Sequence, residues 1–233
     1  VTLSSNQSNF NLWNYVGSPT QPLSLIFNIA SNVNIGSNDP VNRSNAPKRT
    51  TAFTVGNFPA GSTVIINNNG YISGGGGFGG WGGYEVQSGY NYNNRLSGTN
   101  GSAGGDAITK GSNNNFDCTI VNTGTIAGGG GGGGGAGATY TQPDQFIPGG
   151  YTAGGTGGDG AGITGYSRTQ GGQSTASGTT YATNGGNGGN LGANGSAGAT
   201  SNGLGGGGGA TGKAVNLSGI ELAVYGNIIG AVG

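Results

Sequence analysis

Gly76-Gly77-Phe78-Gly79-Gly80-Trp81-Gly82-Gly83-Tyr84 places an aromatic residue at every third position and glycine everywhere else. The same period returns at Gly186, Gly189, Gly192, Gly195 and Gly198, and Ala153-Gly154-Gly155-Thr156-Gly157-Gly158-Asp159-Gly160 keeps it too. Three residues per turn is the repeat of the left-handed polyproline-II helix, which rises about 3.1 Å per residue and makes no internal hydrogen bonds. Buried N–H and C=O groups must still find partners. Helices packed side by side supply them, and only glycine lets the backbones come that close. Weak Cα–H···O contacts add a little at each crossing. The tracts are therefore expected to form a polyglycine-II (polyproline-II-type) helical bundle.

The competing architectures fit less well. Collagen needs an unbroken Gly-X-Y register with abundant proline. Here proline totals 7, and Gly128 to Gly135 is uninterrupted glycine. No segment shows the 3.6-residue apolar stripe of an amphipathic helix, so no α-helix is expected. Glycine makes up 59 of the 233 residues, far above the roughly 7% of average proteins. An ordinary helical core is not available to most of such a chain. Low-complexity disorder is the other outcome of this composition, but it goes with high net charge. Seven basic and seven acidic residues balance here, which favours a packed fold.

Outward from the tracts the chain reads as β structure. From Leu23 to Ile35 the odd positions are apolar apart from Ser31, the alternation of a half-buried strand. Gly36-Ser37-Asn38-Asp39-Pro40 follows as a turn. Phe53 and Val55 begin a second β region that continues through Thr63-Val64-Ile65-Ile66 to the turn Asn67-Asn68-Asn69-Gly70. An internal repeat is also present. Asn68-Asn69-Gly70-Tyr71-Ile72-Ser73-Gly74 matches Asn122-Thr123-Gly124-Thr125-Ile126-Ala127-Gly128, and a weaker copy closes the chain as Val224-Tyr225-Gly226-Asn227-Ile228-Ile229-Gly230. The copies are unevenly spaced, which argues against a solenoid of fixed period and reads as strand, tight turn, strand, then glycine helix.

The expected organisation is all-β and irregular. A β-rich region spans 1–73. A glycine-rich bundle spans 74–216, with long loops at 84–101, 138–152 and 164–184 and an inserted β repeat near 116–127. A closing strand occupies 217–233. Cys118, the sole cysteine, sits in the apolar run Cys118-Thr119-Ile120-Val121 and reads as a buried small hydrophobe. Methionine is absent and the sequence opens on Val1, the mark of a fragment or processed product. No apolar run reaches the 18 residues of a membrane span, so membrane insertion is not expected.

Function is expected in the three loops. They hold seven of the ten tyrosines: Tyr84, Tyr90, Tyr92, Tyr140, Tyr151, Tyr166 and Tyr181. Tyrosine, serine, glycine and asparagine serve adaptable recognition loops, and loops on a rigid scaffold commonly carry binding. Arg95, Phe146 and Arg168 in the same loops complete the candidate receptor-binding set. Phe78 and Trp81 lie within a tract and are expected to pack against the bundle.

Chemistry is sparsely provided. Histidine is absent, so no Ser-His-Asp or Cys-His arrangement can form. Metal sites of the His/Cys type are excluded on the same ground, and no metal or cofactor is expected. The acids are Asp39, Glu85, Asp106, Asp117, Asp144, Asp159 and Glu221. Two of them at about 5–10 Å would suffice for a glycosidase. The G-x-G fragments do not sit between a strand and an α-helix, so the nucleotide-binding reading fails its context. A nucleic-acid binder shows a basic excess, and none is present.

Val55-Gly56-Asn57-Phe58-Pro59-Ala60-Gly61-Ser62-Thr63-Val64, the turn Asn69-Gly70-Tyr71-Ile72-Ser73-Gly74 and the polyglycine runs together resemble the distal tips of phage host-recognition proteins. So does the close from Gly205 to Asn216. Two groups share these features. One is the tip of lambda-like central tail fibres, and the other is the small glycine-rich adhesin on the long tail fibres of T-even-like phages. The first 50 residues resemble the lambda-like group more. The resemblance implies a tail-fibre adhesin at the distal tip of the virion's fibre, without enzymatic activity. The loops would choose a bacterial outer-membrane protein or lipopolysaccharide, and a homotrimer would form with the rest of the fibre. The alternatives from the residues are an ice-binding glycine-rich protein and a polysaccharide-cleaving tailspike domain.

Overall fold

The computed structural model describes residues 1–37, 50–83, 97–112, 115–137, 156–157, 159–164, 167–169, 184–200, 204–216 and 218–233. The architecture is overwhelmingly strand and extended chain. Against the expectation of no α-helix stands one turn, α1 (Leu12–Tyr15), made possible by Asn11, whose side-chain oxygen accepts the amide of Asn14 as an N-cap does.

The strands form a stack of five rungs with three faces, and the third face is reduced to single bridge residues in the last two rungs. The first face carries β1 (Thr2–Leu3), β4 (Ser24–Ile29), β7 (Thr63–Asn68), β10 (Asp117–Asn122) and β14 (Glu221–Val224), in that order. The second carries β2 (Gln7–Ser8), β5 (Asn34–Gly36), β8 (Tyr71–Ser73), β11 (Thr125–Ala127) and β15 (Asn227–Ile229). The third pairs β3 (Phe10–Asn11), β6 (Phe53–Thr54) and β9 (Ile108–Thr109), and isolated bridges extend it through Val215 to Val232. All these pairings are parallel. Among the described residues only the hairpin of β12 (Gly162–Thr164) and β13 (Ser167–Thr169) is antiparallel.

The register is strict, so like residues lie in columns. Leu25, Val64 and Cys118 stack, as do Phe27, Ile66, Ile120 and Leu222. Ile35, Ile72, Ile126 and Ile228 form the second column. Phe10, Phe53, Ile108, Val215 and Val232 form the third. These columns fill the interior, where Phe27, Ile72 and Ile120 are fully buried. Rung one is closed by aromatics, with the Phe10 ring 5.2 Å from those of Tyr15 and Phe53.

The uneven spacing of the sequence repeat therefore does not prevent stacking. Long insertions leave between the second and third faces, and the rungs on either side remain aligned. The expected strand Leu23–Ile35 is in fact broken into β4 and β5. Ser31, its one polar odd position, lies in the corner where the Val33 amide donates to the Ala30 carbonyl. At the next corner inward-facing asparagines replace the hydrophobes. Asn68 Nδ2 donates to Asn122 Oδ1 at 2.7 Å, and Asn122 Nδ2 donates to the Asn227 carbonyl at 3.2 Å. Both residues are fully buried, so this ladder satisfies groups that would otherwise carry a desolvation penalty.

Lys110 is buried as well. Its Nζ donates to the carbonyls of Phe116 at 2.6 Å and Gly219 at 2.7 Å, and lies 4.3 Å from the centre of the Phe116 ring. Cys118 is buried as expected. Burial pushes its thiol up to about 12, with Lys110 pulling weakly the other way.

The insertions form a second body with no apolar centre. Seven extended segments are described: s1 (74–83), s2 (97–106), s3 (128–137), s4 (156–157 and 159–161), s5 (184–190), s6 (193–200) and s7 (204–213). Segment s3 is the axis. It accepts amides from s1 (Gly77 to Gly130, 2.8 Å), s5 (Gly189 to Gly131, 2.8 Å) and s7 (Gly209 to Gly132, 2.7 Å). It donates to s2 (Gly132 to Ser102, 2.9 Å), s4 (Gly130 to Ala161, 2.7 Å) and s6 (Gly134 to Ser196, 2.9 Å). The bonds to s1, s2, s5, s6 and s7 repeat every third residue along the segment. The six outer segments also bond one to the next in the closed order s1, s2, s7, s6, s5, s4 and back to s1.

This arrangement explains the glycine distribution. A Cβ added to any residue from Gly128 to Gly135 would lie 1.9–2.1 Å from a neighbour's carbonyl oxygen. Every direction around the axis is occupied, so no side chain fits. An outer segment has a free side, where Phe78, Trp81, Asn100 and Asn187 stand. Outer amides with no backbone partner are met by side chains. Phe78 N donates to Ser102 Oγ, Gly79 N to Asp159 Oδ1, Gly207 N to Asn100 Oδ1 and Lys213 N to Asp106 Oδ1.

Candidate functional site

Segments s1, s3 and s6 run away from the strand stack, and s2, s4, s5 and s7 run back towards it. The chain thus leaves the array at Gly83, Gly137 and Thr200 and returns at Ser97, Thr156, Asn184 and Leu204, all at the end remote from the strands. The termini of the segments are held on both sides by backbone bonds, for example Gly83 N to Ala136 O at 2.8 Å and Gly137 N to Ala199 O at 3.1 Å. The far end is therefore a rigid platform to which several connections are fixed.

The candidate residues Tyr84, Tyr90, Tyr92, Arg95, Tyr140, Phe146, Tyr151, Tyr166 and Tyr181 lie outside the described residues. Arg168 belongs to β13, opposite Ile163. Its backbone stands at the base of the array, where the Ser37 amide donates to the Ile163 carbonyl at 3.2 Å. It is thus separated from the far-end connections by the length of a segment.

Two large apolar side chains at the far end are not among the candidates that sequence reasoning finds. Trp81 is expected to pack against the bundle, yet it is 49% exposed, whereas Phe78, three residues earlier, is half-buried. Leu204 is 69% exposed. Both flank the same stretch of s2: the Trp81 carbonyl accepts the Thr99 amide and the Leu204 carbonyl accepts the Gly98 amide, each at 2.9 Å. The outward column of s1 can be read from the triplet period. That its last described aromatic is uncovered depends on the ring being only one layer thick, which local sequence does not encode.

Three carboxylates are engaged in local hydrogen bonds. Asp106 and Asp159 bond backbone amides along the array edges, and Thr119 Oγ1 donates to Glu221 Oε2 at 3.4 Å on the strand stack. Among the described residues the far-end stretches 79–83, 97–100, 133–137 and 204–207 carry no charged side chain. Among them also, no three His, Cys, Asp or Glu side chains gather as metal ligands would, and no helix is long and apolar enough to cross a membrane.

The stack has unequal ends. In rung one Leu3, Phe10 and Leu12 are buried. In rung five Leu222 and Ile228 are half-buried, and Val224, Ile229, Val232 and Tyr225 are exposed. The last turn of the apolar columns is thus uncovered, next to strand edges that have a partner on one side only.

A family described as phage tail fibre adhesin Gp38 matches residues 1–233. That match takes in the first 50 residues, which read from sequence alone resemble central tail fibres more. Among solved structures, the crystal structure of the gp37-gp38 adhesin tip complex of the bacteriophage S16 long tail fibre is similar, with a TM-score of 0.54 and 25% sequence identity. The likeness covers 99% of this chain and 79% of that one. No curated protein sequence matches.

Proposed function

The chain belongs to the phage tail fibre adhesin Gp38 family, and from that premise we propose a division of labour between its two bodies. The protein is a receptor-binding adhesin at the distal tip of a tail fibre in the virion. The connections at the far end of the glycine array choose the receptor, and the strand stack joins the adhesin to the rest of the fibre. The observation that carries this reading is the convergence of the connections on one rigid platform. Binding residues belong on loops whose ends are held by a scaffold, because a preorganised surface loses less entropy on association.

In this reading the contacts come from Tyr84, Tyr90, Tyr92, Arg95, Tyr140, Phe146, Tyr151, Tyr166 and Tyr181, with Arg168 of β13 nearer the base. The receptor is a bacterial outer-membrane protein or lipopolysaccharide, bound without turnover. The seven segments act as polyglycine-II helices. Bonding at every third residue, with glycine on every crowded side, supports that assignment. Assembly with another tail-fibre protein, as in the S16 complex, would use rung five, because open strand edges around an uncovered apolar interior accept added strands.

The test is binding of the labelled protein to a panel of Gram-negative strains that includes outer-membrane-protein deletions. Saturable binding lost in one deletion strain is the expected result and names the receptor. Alanine at Tyr90, Tyr92, Tyr151 and Tyr166 together is expected to weaken that binding at least about a hundredfold, since aromatic anchors carry most interface energy. Undiminished binding by the fourfold variant would remove the loops from the mechanism.

A further inference from the structure

We infer that s5 and s6 form a hairpin that opens from the array as a separate unit, and that the contact of its turn with Gly230 is a latch through which the last rung controls the far end. The inference rests on the reading that rung five joins the fibre and the far end meets the receptor. It adds to that reading a conformational link between the two ends.

Continuity of the chain sets this pair apart. Segment s1 leaves β8, s3 leaves β11, s2 enters β9, s4 enters β12 and s7 leads to the bridge at Val215. Segments s5 and s6 have no such continuation. At the stack end they are joined to each other by the turn Asn190-Leu191-Gly192-Ala193. They are also zipped together: the amides of Ala193 and Ser196 donate to the Asn190 and Asn187 carbonyls at 2.9 Å, and that of Ala199 donates to the Asn184 carbonyl at 3.1 Å. The two are neighbours in the ring, so they can leave in one piece while s1, s2, s4 and s7 stay bonded to one another and to s3.

What retains the hairpin is lateral backbone bonding. Gly186 and Gly189 donate to the axis, the axis donates to Ala193, Ser196 and Ala199, Ala161 donates to Gly189, and Gly195 and Gly198 donate to s7. From 184 to 200 the one large apolar residue is Leu191, in the turn and half-buried. Elements with few buried apolar contacts open at free energies below that of global unfolding. The strand stack, filled by Phe27, Ile72 and Ile120, opens last.

The turn is where opening is controlled. The Gly192 amide donates to the Gly128 carbonyl at 2.9 Å, and the Gly128 amide to the Ile229 carbonyl at 3.0 Å. Gly192 and Gly230 are in direct contact: a Cβ on Gly192 would lie 2.7 Å from the Gly230 nitrogen, and one on Gly230 would lie 3.1 Å from the Gly192 Cα. Both have positive φ, 68° and 110°, which glycine adopts without strain. Gly230 directly follows β15, the strand whose open edge is proposed to receive the fibre. A strand added there fixes Ile229 and Gly230, and through them the turn. The outer ends of the hairpin, Asn184 and Thr200, are where two far-end connections are held. A closed latch keeps those connections preorganised, and observed receptor affinity scales with the closed fraction. The link is reciprocal, so a receptor that holds the hairpin closed strengthens fibre binding by the same factor.

The experiment is amide hydrogen exchange read by mass spectrometry on the full chain, free and assembled on whole tail fibres. In the free chain the amides of 184–200 are expected to exchange as one group, at least about tenfold faster than those of s1 and s2. Gly230→Ala should accelerate that group about tenfold further and leave β7 and β10 unchanged. It should also raise Kd for a saturably bound strain about tenfold, a usual size for coupling between sites. Gly192→Ala strikes the same contact from the other side and should match it, whereas Gly207→Ala, at an open position on s7, should do neither. Assembly on the fibre should slow 184–200 about tenfold, together with the amides of rung five.

Exchange of 184–200 in step with s1 and s2 would overturn the separate unit. Unchanged exchange in both Gly192→Ala and Gly230→Ala would overturn the latch. A fibre that protects rung five but not 184–200 would overturn the control of one end by the other. If the fibre leaves rung five unprotected, the attachment reading fails and the link to the fibre fails with it, while the free-chain series still decides whether hairpin and latch exist.

Discussion

The strand stack and the glycine array are built from the same chain on opposite terms. In the stack, side chains do the packing: Phe27, Ile72 and Ile120 fill an interior in which backbone atoms bond only along the sheets. In the array, backbone packs against backbone, and the axis carries no side chain from Gly128 to Gly135. The stack therefore tolerates changes of shape and the array tolerates changes only at its rim. Interiors of side chains relax in part around a lost methyl group. An interior of carbonyls 1.9–2.1 Å from a would-be Cβ has nothing that can move aside.

Three substitutions measure that difference. The greatest loss is expected for Gly132→Ala, on the axis, where the new Cβ would meet the Phe78 carbonyl oxygen at 1.9 Å. The ring would have to open, and thermal melting should show the array lost at a cost above about 4 kcal/mol, the range reserved for disrupted cores and networks. A normal cooperative melt in that variant would break the contrast. Next comes Ile120→Ala in the middle of the stack, expected to cost about 2–5 kcal/mol in a single transition that leaves the array formed. The smallest effect is expected at Gly207, on the outer side of s7, where a Cβ has Asn100 Oδ1 at 3.4 Å as its nearest neighbour. Gly207→Ala should change stability by less than about 0.5 kcal/mol, as surface changes do. A large loss there would mean that the rim is as closed as the axis.

Much of this is legible in the residues. The triplet spacing of Phe78, Trp81 and Tyr84 announces extended segments with one outward side. The matched runs around Asn68-Asn69-Gly70 and Asn122-Thr123-Gly124 announce strand, turn, strand. Cys118 is recognisable as an interior residue. Other features are hidden for physical reasons. Parallel stacking of the repeats is masked because insertions of very different length separate copies that touch in space. The break at Ser31 looks like an imperfection in one strand, since alternation does not register a corner that keeps the inward side in phase. The run Gly128 to Gly135 serves to set collagen aside, but its place as the axis depends on six partners, four of them further along the chain. The exposure of Trp81 follows from ring thickness, a property of the assembled array.

The order of the segments has a consequence for synthesis. When a ribosome has completed residue 137, the axial segment exists with s1 and s2 alone, and four of its six neighbours have yet to be made. Its remaining amides and carbonyls must stay in water until s4 to s7 arrive, and s7 leads directly to Val215 and the last rung. A chain that stopped at residue 183 would have a half-built ring and an unfinished stack. Arrival of the last segments is thus what commits the molecule to its shape, and an adhesin interrupted in translation has no stable partial form to present.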